Sequence, residues 1–162
     1  MKGYGSPQSG FTLIELMIVV LIILVLSGGS ITSYLNFNKT ETVKNDARSL
    51  TTEINRVKTL ASSLQYPEGC TTLEGYNLKS DLVDGALTGV TVTVLCDPDN
   101  IANPTVKLLG STIFSAPFDI TFLPGNGYLS SGEDTLITIA NASDGAATKT
   151  LTIGAYGTIK SN

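Results

Sequence analysis

The sequence predicts an α+β protein, a long N-terminal helix packed against a small antiparallel β-sheet head. Three observations carry that prediction. An unbroken apolar run from Leu16 to Leu26 lies close to the N-terminus. Behind it, residues 36–64 place apolar side chains in steps of three and four, the period of a helix with one buried stripe. From Cys70 onward the period is two and turn residues recur, as in half-buried strands joined by short loops. A chain of 162 residues has room for one domain and an extension. The boundaries expected are 1–10 for a leader, 11–35 for an apolar helix, 36–66 for an amphipathic stem and 67–162 for the head.

The first helix begins in Gly10-Phe11-Thr12-Leu13-Ile14-Glu15 and continues as Leu16-Met17-Ile18-Val19-Val20-Leu21-Ile22-Ile23-Leu24-Val25-Leu26. Glu15 stands out. An acidic side chain at mid-membrane costs about 2.5–3.5 kcal/mol on insertion-based scales, and no Lys or Arg lies between Lys2 and Lys39 to answer it. Hydrolysis of the bond after Gly10 would supply a partner. Phe11 would then carry a free α-amine, with an unperturbed pKa of about 7.7–8, one helical turn before Glu15 or opposite the Glu15 of an axially shifted copy. An unpaired charge in an apolar medium is penalised heavily, so the pairing between copies would favour one fixed stagger.

Gly10-Phe11-Thr12-Leu13-Ile14-Glu15-Leu16-Met17 resembles the processing site and N-terminal helix of type IV pilins and type II secretion pseudopilins, over residues 1 to about 37. The resemblance implies cleavage after Gly10 by a prepilin peptidase, N-methylation of Phe11, and assembly of a helical filament through Phe11 and Glu15. It also implies that Leu16–Leu26 is a membrane anchor that becomes filament core. The partners implied are other pilin-like subunits in a homo- or hetero-polymer, the peptidase, an inner-membrane assembly platform, and the membrane itself before assembly. The localisation implied is the cytoplasmic membrane, single-pass with the N-terminus inside, and afterwards an extracytoplasmic filament.

This chain departs from the family's pattern in two places. The helix-bending proline many members carry would fall near Thr32, and Ser27-Gly28-Gly29-Ser30 stands a little earlier instead. Glycine costs about 1 kcal/mol relative to alanine in a helix interior, so Gly28 and Gly29 predict a helix break. The leader carries one lysine, Lys2, where the family often has more. A conventional secretory signal is the rival reading. Lys2 would be its basic region, Leu16–Leu26 its apolar region and Ser27-Gly28-Gly29 its small-residue cleavage site. That reading would make the protein a secreted or anchored binding module.

In the stem, Val43, Ala47, Leu50, Ile54, Val57, Leu60 or Ala61, and Leu64 form one stripe. It serves either as a coiled-coil seam or, in the reading preferred here, as the seam on which the head packs. Tyr66-Pro67-Glu68-Gly69 is expected to end the helix. Strands are expected at Gly89–Leu95, Thr105–Leu109, Phe118–Leu123, Thr135–Ala140, Thr150–Ile153 and Gly157–Lys160, in one sheet or two small ones. Turns are expected at Asp97–Asn100, Pro124–Gly127 and Ser143–Gly145. The stretch from Phe118 to Gly127 and the strands after it is similar to the C-terminal region of small minor pseudopilins and minor fimbrial subunits.

Cys70 and Cys96 are the only cysteines. Outside the cytoplasm an even count predicts a disulfide, two buried free thiols being the alternative. Asp97, Asp99 and Asn100 offer oxygens to calcium, but their loop lacks a bidentate glutamate, so no cofactor and no metal site is assigned. With no histidine, Ser-His and Cys-His catalysis are excluded, and no catalytic residues are assigned. Asn38-Lys39-Thr40 and Asn141-Ala142-Ser143 match the glycosylation sequon, a short and common pattern.

Charge is unevenly spread. Residues 36–64 carry five bases against three acids, and residues 65–162 carry four lysines against ten acids. An acidic head with a single lysine in its last segment, Ile153–Lys160, is a poor nucleic-acid ligand on its own. The function expected is a structural filament subunit, minor pilin or pseudopilin in preference to the major pilin of a motility or adhesion fibre.

Overall fold

The computed structural model describes residues 10–161 apart from Pro98 and Asp144, and no side chains within 27–32. The leader up to Ser9 and the centres of two expected turns therefore lie outside the described residues. The chain divides into two compact units, Met1–Asn38 and Lys39–Asn162. One helix, α1 (Leu13–Ser62), runs through both.

Within the first unit α1 is helical at Gly28 and Gly29, so the expected helix break is corrected to continuous helical backbone. Two glycines cost about 2 kcal/mol against alanine, and long helical runs on either side spare the helix a second nucleation. No helix among the described residues is long and apolar enough to cross a membrane. The uninterrupted apolar run, Leu16–Leu26, has eleven residues, whereas a span takes about 20.

The second unit is a helix packed on antiparallel sheet. Among the described residues nine strands follow α1: β1 (Thr72–Val83), β2 (Ala86–Asp97), β3 (Ile101–Ala102), β4 (Val106–Lys107), β5 (Thr112–Phe114), β6 (Asp119–Phe122), β7 (Thr135–Asn141), β8 (Thr148–Ile153) and β9 (Ile159–Ser161). They form two sheets. The first has the order β3-β2-β1-β6 with β4 also on β2, and the second has the order β5-β7-β8-β9. All the pairings are antiparallel.

The stem stripe is the spine of the core. Val43, Ala47, Leu50, Ile54, Val57 and Ala61 are buried in one cluster with Leu78, Val92, Phe114, Phe122, Ile139, Leu151 and Ile153. Head packing, not a coiled-coil seam, is therefore what the stripe serves. Leu64 is the exception. The helix ends at Ser62, before the expected Tyr66–Gly69 stop, and Leu64 is 48% exposed with φ 52°. The Gln65 N–H reaches the carbonyl of Leu60 at 3.3 Å and the Leu64 N–H that of Ala61 at 3.2 Å. This is a left-handed helix cap, with leucine where glycine usually sits.

Four hydrogen bonds among the described residues fasten the stem to β5 and to loops of the head. Asp46 Oδ2 accepts from the Thr112 hydroxyl at 2.6 Å and the Gly110 N–H at 3.3 Å. Lys58 Nζ donates to the carbonyl of Gly157 at 2.7 Å, and the Gly125 N–H caps the carbonyl of Ala61 at 3.0 Å. Gly127 and Gly157 have positive φ and make room for this. A Cβ on Gly157 would lie 2.5 Å from the carbonyl oxygen of Gly127 and 2.9 Å from Lys58 Cε.

Candidate assembly site

Gly10, Phe11 and Thr12 precede the helix, and Leu13 is its first residue. Thr12 caps it. Its hydroxyl accepts from the Glu15 N–H at 3.3 Å, and its carbonyl accepts from the N–H groups of Glu15 and Leu16 at 3.1 and 3.2 Å. Such a cap is worth about 0.5–2 kcal/mol. The threonine three residues before a glutamate, just ahead of an apolar run, is the sequence signature that identifies it, and the reading of Glu15 alone passed over it.

The cap also revises the electrostatics. Glu15 lies in the first turn of α1, where unpaired N–H groups and the helix dipole favour negative charge. The carboxylate is thus stabilised in part by its own helix, before any second molecule is considered. It forms no ion pair among the described residues.

Every residue from Gly10 to Leu26 is exposed in the single chain, Phe11 at 81%. Leu16, Met17, Val20, Leu21 and Leu24 bound a shallow apolar groove of about 400 Å³, spaced as one helical face. An apolar surface of this extent marks contact with lipid or with other protein. A Cβ added to Gly10 would meet nothing within 4 Å, so this chain's own packing makes no demand for glycine there.

In the head, Cys70 and Cys96 are bridged, with Cα atoms 5.5 Å apart. The bridge ties the connector after α1 to the end of β2. In the neighbouring loop Asn100 Oδ1 accepts from the Cys96 N–H at 3.0 Å, so this oxygen from the calcium reading serves the turn. Asn141 is buried and its side chain accepts from the Ser143 N–H, which fits structural use better than glycosylation.

Residues 5–31 match the family described as the prokaryotic N-terminal methylation motif. The motif and the helix-on-sheet fold are together type IV pilin-like. The solved structures similar to this chain include the type IV minor pilin FimU of Pseudomonas aeruginosa strain PAO1 in two crystal forms. One matches with a TM-score of 0.53 and 19% identity, over 74% of this chain and 91% of that one. The other matches with a TM-score of 0.57 and 19% identity, over 78% and 92%. No curated protein sequence matches the chain.

Proposed function

We propose that this protein is a structural subunit of a type IV pilus-like filament, made as a precursor, cleaved after Gly10 by a prepilin peptidase and N-methylated at Phe11. The observation that carries the proposal is a single helix with two opposite burial regimes. Its first part bears the methylation motif and an exposed apolar surface, and its second part is the buried spine of a minor-pilin-like head. A peptidase that reads glycine before the cut explains why Gly10 is glycine where this chain's packing does not ask for it.

In this reading Met1–Gly10 is the leader, and residues 11–35 hold the precursor in the cytoplasmic membrane with the head outside. Leu16–Leu26 falls short of a full span alone, and residues 11–35 as sequence offer 25 positions. The same surface later becomes filament core among other pilin-like subunits, supplied through an inner-membrane platform. The freed Phe11 amine of one copy meets Glu15 of the next, which aligns an incoming subunit before its apolar groove closes. The FimU likeness favours a minor subunit of a pilus over a major pilin, and the pseudopilus of a type II secretion system is the alternative setting. The role is assembly and not catalysis.

Mass spectrometry of the mature N-terminus tests this. Methyl-Phe11 is expected, whereas a start near Ser30 or an intact leader overturns it. Glu15→Ala should be processed normally yet enter fibres poorly, and incorporation at the wild-type level would remove Glu15 from the mechanism.

A further inference from the structure

The described part of the head carries unanswered positive charge at one place and unanswered negative charge at another. A cleft of about 460 Å³ beside α1 is lined by Lys44, Arg48, Thr51, Thr52, Lys149 and Ser161. A second cleft of about 420 Å³ continues it past Lys44 and Lys149 towards Thr40 and Ala147. Lys44 is held by Glu41 at 2.7 Å. Arg48 Nη1 donates only to a neutral oxygen, Asn45 Oδ1, at 3.2 Å. Neither Arg48 nor Lys149 forms an ion pair within 4 Å among the described residues; Glu41, bound to Lys44, is the carboxylate whose charge reaches Arg48, so positive charge is in excess at the cleft.

The opposite charge collects around the disulfide. Thr72 pairs with Asp97 and Leu73 with Cys96, and the Cys70–Cys96 bridge crosses the same end of the hairpin. Glu68, Glu74, Asp97 and Asp99 are thereby gathered on this edge. All four are exposed, and none forms an ion pair among the described residues. The edge follows the end of α1 at Ser62, while the cleft lies beside Arg48. None of the four acids lines either cleft.

We infer that the Lys44–Arg48–Lys149 cleft receives the Asp97–Asp99 edge of a second copy of this chain. The complementarity is between two different patches, so the contact is heterologous. Every copy bound by its edge still offers its cleft, which makes the association open-ended. The inference rests on the filament reading and names one head-to-head contact within it. Being ionic and surface-exposed, the contact weakens as salt rises.

Mixing isotopically labelled and unlabelled full-length chain in detergent, followed by zero-length carbodiimide coupling, tests it. The expected product joins Lys149 or Lys44 of one isotopic form to Asp97 or Asp99 of the other. R48E/K149E and D97K/D99K should each lower coupled dimer by about tenfold or more, since juxtaposed like charges repel strongly. Mixing the two variants should restore it, because each then presents the charge the other lacks. Links confined to a single isotopic copy, links to other acids only, or no recovery on mixing would each overturn the contact. A mature chain starting at methyl-Phe11 but lacking the link would sink the contact alone. A retained leader with the link present would sink the filament reading alone.

Discussion

Tyr76 shows how one side chain couples the end of the helix to the sheet. Its ring is buried while its hydroxyl donates to the carbonyl of Gln65 at 2.7 Å, just past the helix cap. Burial pushes the phenol above its ordinary value of 10.0, with the nearby Arg56 opposing the shift. The folded state therefore holds this proton more tightly than the unfolded state. The associated stability is complete below pH about 10 and is lost as pH rises through the higher folded value. Urea unfolding on the alkaline side of pH 9 should show that decline, and Tyr76→Phe should flatten it; an unchanged slope would show that the phenol does not titrate with folding. Asp81 is the acidic counterpart. Hydroxyls of Thr105 and Thr91 and the Leu82 N–H hold its carboxyl below the usual 3.8, so its contribution is lost only as pH falls below that range.

At the scale of elements, the clasp between α1 and two loops is the sharpest constraint. Gly157→Ala places a methyl against the Gly127 carbonyl and imposes a left-handed backbone (φ 72°) on a side chain. A loss of about 1–3 kcal/mol is expected, read from the midpoint of denaturant unfolding, and a neutral outcome would mean the clasp relaxes at no cost. Sequence periodicity missed the short β3 and β5, and the longest element it missed is β1, twelve residues long. Its alternation is broken by a bulge between Leu73 and Gly75, and two of its buried positions are Gly75 and Ser80 rather than apolar residues. Asp84-Gly85, both at positive φ, is the hairpin signal that would have rescued it. By contrast β6 alternates throughout, β2, β7 and β8 alternate over part of their length, and all four were legible. The expected strand Thr105–Leu109 shrinks to Val106–Lys107, because only Val106 and Lys107 pair in ladder register, with Val90 and Gly89 on β2, while the N–H groups of Leu108 and Leu109 converge on the one carbonyl of Thr88. At the N-terminus the motif alone singles out Gly10, Phe11 and Glu15 for the proposed processing and assembly. The cap at Thr12 carries a signal of its own, a threonine three residues before Glu15, which attention to the charge of Glu15 leaves aside.

For the molecule as a whole, the Cys70–Cys96 bridge closes a loop with a sequence separation of 26, worth about 3–4 kcal/mol in the chain-entropy picture. Replacing both cysteines with serine should lower unfolding free energy by that amount in an oxidising buffer, and equal stability of the two forms would show the head needs no cross-link. The order of elements sets a further condition on how the protein is made. The stem's apolar stripe leaves the ribosome first, yet Leu151 and Ile153, which share its core, lie some ninety residues later. At about 5–20 residues per second, Leu50, Ile54 and Val57 spend roughly 5–20 s without the last strands that complete their cover. A nascent chain halted before β8 would carry a sticky, half-clothed helix, and it is in that interval that a holdase has something to grip.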